Sequence, residues 1–123
     1  MSPFFVGINK QCLWATEMFC DFGANVYMKN GDGQNPMIYA ATKGLDKICM
    51  YLSMRVTNID MIDDKTGFNV FRIYLLRGDL KRMKQLLMRG ADINFVNEKS
   101  GFTPLHKAIE EQLDIKIIKF LIS

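Results

Sequence analysis

The stretch GFTPLHKA, Gly101–Ala108, decides the fold, because its pieces recur in phase along the chain. Thr103 before Pro104 reads as a helix start: a hydroxyl cap, then a residue with a preset φ and no N–H to leave unpaired. Stepping back 34 residues from Pro104 reaches Val70 in TGFNVFRIY, and another 34 reaches Pro36 in GQNPMIYAA. A further 33 reaches Pro3 in MSPFFVGI. Asn69, Asn35 and Ser2 stand just before these positions, and each is a capping type.

The agreement continues downstream. Gly44 and Gly78 follow the helix start by eight residues and suit a left-handed turn that ends a first helix. A second apolar run with helical spacing comes next: Ile48, Cys49, Tyr51, Leu52, then Met83, Leu86, Leu87, then Ile117, Ile118, Leu121. Gly23 in FGANV and Gly90 in RGADIN close that second helix, with Val56 at the matching place in RVTNID. Gly33, Gly67 and Gly101 each stand three residues before the next start. The period is helix, turn, helix, finger, at the length of a solenoid repeat.

Four segments carrying T-P-L-H-x-A and G-A-D-[IV]-N elements in phase resemble the ankyrin repeat, over essentially the whole chain. The best copies are Gly101–Ala108 and Gly90–Asn94. The resemblance implies an all-α repeat solenoid, with ankyrin-like helix-turn-helix units joined by β-hairpin or turn fingers. It implies a single domain over 1–123 with repeats at about 1–33, 34–66, 67–100 and 101–123, the first and last incomplete. Pro3, Gly23, Pro36, Gly44, Gly78, Gly90, Pro104 and His106 take structural roles in that scheme.

Departures from the pattern mark places where stacking should change. The first copy has Phe4-Phe5 for Leu-His and Gln11 for the turn glycine. The third has Val70 for Pro, and Tyr74-Leu75 where small residues let inner helices approach. Val56 is unfavourable if its φ is positive. The fourth reads as having one extra residue between its helices, around Leu113–Lys116. Neither end looks like a polar cap, so Phe4, Phe5, Ile8, Leu13 and Trp14 are expected to be partly bare, as are Ile118, Leu121 and Ile122. That is the pattern of a segment from a longer array. The rival is a complete small protein whose ends are covered by a partner or by self-association.

Composition narrows the function. The 123 residues are 49% hydrophobic and 24% charged, which fits one ordinary globular domain. Sixteen Lys and Arg against thirteen Asp and Glu leave a net charge of +3, too mild for a dedicated nucleic-acid surface. No apolar run is long enough to span a membrane. Three cysteines, Cys12, Cys20 and Cys49, form no C-x-x-C pair. They read as core thiols in a reducing, intracellular and cytoplasmic setting. With His106 the sole histidine, neither a zinc site nor any other cofactor site is expected.

Nothing reads as catalytic. His106 falls at the TPLH position, where the resemblance gives the imidazole a hydrogen bond to nearby backbone. Asp63-Asp64 and Glu110-Glu111 are sequence neighbours that do not converge, and KNGDGQNP lacks the G-K-[ST] ending of a phosphate loop. The chain is expected to be a non-enzymatic scaffold that binds another protein through finger tips and the concave side of the inner helices. On the fingers this places Tyr27, Lys29 and Asn30, then Met61, Asp63 and Lys65, then Phe95, Asn97 and Lys99. On the inner helices it places Tyr39, Thr42, Lys43, Ile73, Arg77, Lys107 and Glu111. The alternative is a regulatory or targeting segment of a larger enzyme, channel or ubiquitin-ligase adaptor. A basic cluster, Arg72, Arg77, Lys81, Arg82, Lys84 and Arg89, reads as a solvated face. Its sharper reading is a dock for an acidic or phosphorylated partner; no aromatic platform interleaves with it for nucleic acid.

Overall fold

The computed structural model describes residues 2–123, so Met1, the start of the first expected repeat, lies outside the described residues. The chain there forms eight helices in four pairs: α1 Pro3–Asn9 with α2 Leu13–Asp21, α3 Pro36–Thr42 with α4 Asp46–Ser53, α5 Val70–Arg77 with α6 Leu80–Met88, and α7 Pro104–Glu110 with α8 Ile115–Ile122. Each helix packs on its pair mate. The inner helices α1, α3, α5 and α7 stack in a row, and α2, α4 and α6 stack beside them.

The starts follow from the capping chemistry. Ser2, Asn35, Asn69 and Thr103 each accept the backbone N–H three residues on, at 3.4, 2.8, 3.0 and 3.3 Å. At α7 the bond is reciprocal: Nδ1 of His106 accepts the Thr103 N–H at 3.1 Å, so the histidine completes a capping box. The inner helices end alike. Gln11, Gly44, Gly78 and Gln112 all have positive φ, and the next residue in each case donates to a carbonyl five residues back, at 2.9–3.1 Å. Glycine meets this demand freely at two of the four sites; glutamine meets it under strain at the others.

The core repeats as the ends do. Thr16, Cys49, Met83 and Ile117 each lie thirteen residues past the start of their inner helix, and all four are buried. That alignment corrects the reading of an extra residue in the fourth copy. Helix α8 starts one residue later, capped by Asp114, but its core register is unshifted. Val56 escapes the penalty that a positive φ would bring, for its φ is not positive. Helix α4 stops at Ser53 and turns out through Met54 and Arg55, so the left-handed residue used at Gly23 and Gly90 is not needed.

Tyr74 stands where Gly7, Ala40 and Ala108 stand in the other copies, yet it is fully buried. Its ring reaches across to the second helix pair, where the phenol donates to Asp46 Oδ1 at 2.8 Å. At the ends, Phe4, Phe5 and Ile8 are covered, and so is Leu121. Each end inner helix is flanked by its own outer helix and the next inner helix, which covers Phe4, Phe5 and Ile8, although Val6 of α1 and Ile109 of α7 remain exposed.

The fingers are turns; no strand forms among the described residues. A single pair of bonds closes each of the two later fingers: Asp63 N–H to Phe68 O at 2.8 Å with Gly67 N–H to Asp63 O at 2.7 Å, and the same pattern from Asn97. The N–H groups a ladder would use are instead taken by side chains. Asp63 Oδ1 accepts from Lys65 and Thr66. Asn97 Oδ1 accepts from Lys99, and Asn30 Oδ1 from Asp32 and Gln34.

Candidate functional site

Between the fingers and the inner helices runs a shallow surface that opens into a cleft at the first two junctions. At the middle junction it is a groove of about 390 Å³ lined by Thr42, Ile73, Leu76 and Arg77 from α3 and α5, and by Thr66 and Phe68 from the finger. Leu76 is 37% exposed although it is a large apolar residue. One junction earlier a hollow of about 470 Å³ lies among Met28, Lys29, Asn30, Asp32, Tyr39 and Lys43. Both are open clefts with apolar floors and polar rims, a form suited to side chains of a protein partner.

The polar residues expected to face a partner divide into three groups. Asn30, Asp63 and Asn97 are turn formers, and the last two are buried. They recur three or four residues before a positive-φ glycine, a pattern that could have identified them from sequence as turn residues. Lys29, Lys65 and Lys99 bind neighbouring fingers: Lys29 Nζ sits 2.7 Å from Asp64, Lys65 Nζ 3.0 Å from Asp32, and Lys99 Nζ donates to the Asp64 and Lys65 carbonyls. These pairs are exposed and each contributes little, about 0–1 kcal/mol, but they fix the finger spacing. Tyr39 is buried, edge-on to Phe5, with its hydroxyl donating to Asn9.

The remaining candidates stay at the surface. Tyr27 is half-exposed, but its hydroxyl accepts the Thr57 N–H at 2.8 Å and lies 2.9 Å from the Thr57 hydroxyl, joining two fingers. Met61 and Phe95 are half-buried, and Lys43 is exposed beside the Tyr39 ring. Lys107 pairs with Glu110 and Glu111 at 3.0 and 2.9 Å. Ile73 and Thr42 line the middle groove. Leu76 and Phe68, which sequence reasoning missed, line it too; only the stacking of α3 on α5 turns that side of α5 toward the finger.

The basic cluster does not form one patch. Arg72 is buried with its guanidinium 4.2 Å from the Phe68 ring. Arg77 donates to both Asp46 oxygens, at 2.9 and 3.2 Å. Arg82 lies 3.8 Å from Asp79, which caps its own helix. Arg89 donates to the Met50 carbonyl at 2.7 Å and to the Ser53 hydroxyl. Lys81 and Lys84 are exposed, with no carboxylate partner among the described residues.

Titratable groups near the groove serve the fold. Hydrogen bonds from Arg77 hold the Asp46 carboxyl below the usual carboxylate range, against the opposing effect of burial. Burial pushes the Cys49 thiol up to about 12 and the Tyr74 phenol far up, so both stay protonated. Burial also raises the Asp60 carboxyl, although Asn69 and the Asp92 N–H donate to it.

Over 92 residues, 73% of its length, the chain is 34% identical to the nuclear factor NF-kappa-B p105 subunit of Gallus gallus. The match spans 9% of that relative. No protein-family model matches the chain.

Proposed function

We propose that this chain is an array of four ankyrin-type repeats, divided at about residues 34, 67 and 101, that binds another protein without catalysing a reaction. The observation that carries the reading is the pair of open clefts between fingers and inner helices, one of which displays Leu76, Ile73 and Phe68 beside polar finger tips. The in-phase caps and left-handed turns support the family. The similarity to a protein named as a subunit, a member of an assembly, supports the protein-binding role. Apolar and aromatic groups in the cleft supply the anchors, and finger side chains supply the polar rim. The small share of the relative that is matched favours a second reading, an interaction segment within a longer regulatory protein.

The test compares two variants as bait in lysate of the source cells. Leu76→Asp/Ile73→Asp alters the finger-side groove, and Lys81→Glu/Lys84→Glu alters the outer face. Circular dichroism establishes that each is folded. The reading expects specific partners to be lost with the first variant and kept with the second. Loss with the second alone overturns it.

A further inference from the structure

The links between neighbouring fingers share a register, and one of them has a hydroxyl where the other has a carboxylate. Asp32 and Thr66 each stand four residues before an inner helix and directly before a positive-φ glycine, Gly33 or Gly67. Lys65 and Lys99 each stand five residues before the next inner helix. Between the first two fingers these places hold an ion pair, Lys65 Nζ lying 3.0 Å from Asp32 Oδ1. Between the next two the lysine is kept, but Thr66 replaces the acid. Lys99 Nζ turns to backbone instead, donating to Asp64 O at 3.2 Å and to Lys65 O at 2.6 Å. Its stem passes Gly67, where an added Cβ would come 3.4 Å from Lys99 Cδ. Lys99 therefore touches the chain on both sides of Thr66.

Thr66 is exposed, and its Oγ1 accepts the Phe68 N–H at 3.2 Å, which leaves the hydroxyl proton free. Thr57, exposed as well, has its hydroxyl 2.9 Å from that of Tyr27. The acids around Thr66 are already engaged: Asp63 by the Lys65 and Thr66 N–H groups, Asp64 by Lys29, and Asp32 by Lys65. Lys99 pairs with no carboxylate among the described residues. We propose that Thr66 is a phosphorylation site, its phosphate taking the place that Asp32 holds one finger earlier and binding Lys99. Thr66 Oγ1 forms a bond to the γ-phosphorus of a nucleoside triphosphate held by a protein kinase. The bond from that phosphorus to the β-phosphate oxygen breaks, a nucleoside diphosphate leaves, and the hydroxyl proton passes to the kinase. The phosphate brings a charge of about −1.5 to −2 and three acceptor oxygens, so it holds the lysine more strongly than a carboxylate does. It also charges the rim of the middle groove, which Thr66 lines. The site does not depend on what that groove binds.

Two measurements test this. The full chain is incubated with ATP and lysate of the source cells, and phosphate is located by tandem mass spectrometry. Thr66 should carry it and Thr57 should not. Recovery of the peptide that contains Thr66 without any phosphate overturns the assignment. The full chain is also synthesised with phosphothreonine at position 66, with and without Lys99→Met, beside the two unphosphorylated counterparts. In urea melts Lys99→Met should lower the folded-to-unfolded ratio roughly threefold more when the phosphate is present. Followed by phosphorus NMR in the folded chain, the second ionisation of the phosphate, ordinarily at about 6, should rise by about half a unit on Lys99→Met. An equal cost of Lys99→Met with and without phosphate, or an ionisation that the substitution leaves unmoved, overturns the link to Lys99.

Discussion

Replacing Tyr74 by Phe isolates one hydrogen bond across the junction between the second and third helix pairs. The ring is fully buried, and Phe fills the same space without the hydroxyl. What is lost is the 2.8 Å donation to Asp46 Oδ1. A hydrogen bond to a charged group contributes about 1.5–3 kcal/mol. Asp46 keeps both bonds from Arg77, and its side chain is 21% exposed, so water can replace part of the loss. The expected cost is therefore about 1–2 kcal/mol at pH 7. With a urea slope of roughly 1–3 kcal/mol/M, the midpoint should fall by roughly 0.3–2 M at unchanged slope. The pH dependence has a defined sign. The folded state holds the Asp46 carboxyl below its unfolded value of about 3.9, so its stabilisation is complete well above that pH. It is lost as pH falls through the lower folded value. The gap between wild type and Tyr74→Phe should be full at pH 7 and narrow in acid, leaving only the weaker neutral bond. Urea melts followed by circular dichroism at several pH values measure this. A deficit under about 0.3 kcal/mol at pH 7, or one that widens in acid, would refute the reasoning.

Three further outcomes follow from backbone and burial. At Gly33 (φ +76°) an added Cβ would come 2.7 Å from the Asp64 Cβ, whereas Gly44 (φ +75°) has open space around it. Gly44→Ala should cost about 1–2 kcal/mol from the left-handed backbone alone, and Gly33→Ala distinctly more, by thermal melts. Gln11 and Gln112 have φ of 60° and 52°, so Gln11→Gly and Gln112→Gly should each raise stability by about 0.5–1 kcal/mol, read as a higher melting temperature. Iodoacetamide at pH 8, followed by mass spectrometry, should modify half-buried Cys12 first. Cys49 is buried with its thiol pushed up to about 12, so it should react only as the chain unfolds.

What the sequence made legible was local. A cap three residues from the N–H it accepts, or a turn that needs positive φ, is written in adjacent residues, so Asn35, Thr103, Gly44 and Gly78 could be read directly. Burial at the common core position was readable from helical spacing. The candidate site was harder, because its meaning lies across the stack. Arg77 and Arg89 read as free charge beside their sequence neighbours, yet they bond to Asp46 and to Met50 and Ser53, 31 to 39 residues away. Asp63 and Asn97 read as displayed polar groups because composition does not distinguish a finger tip from a turn residue bonded to its own backbone. Leu76 drew no notice as one more apolar residue in a helix. Only the packing of α3 on α5 leaves it facing the cleft.

These placements divide the side chains by task. Charged residues at the repeat junctions mostly link one repeat to the next: Arg55 to Asp21, Arg77 to Asp46, Lys29 to Asp64. Exposed pairs of this kind add little to stability, but each is geometrically demanding, so together they favour one stacking register over its neighbours. The apolar filling beneath supplies most of the stability and is tolerant of direction. Charge committed to register cannot also be offered to a partner. On the proposed function, recognition on the finger side would fall to what the stacking leaves uncommitted: the Leu76–Phe68 cleft, Thr42, and the half-buried Met61 and Phe95. If the cleft binds a partner as proposed, a few cleft residues could change that partner while caps, turns and inter-repeat links keep the stack in place.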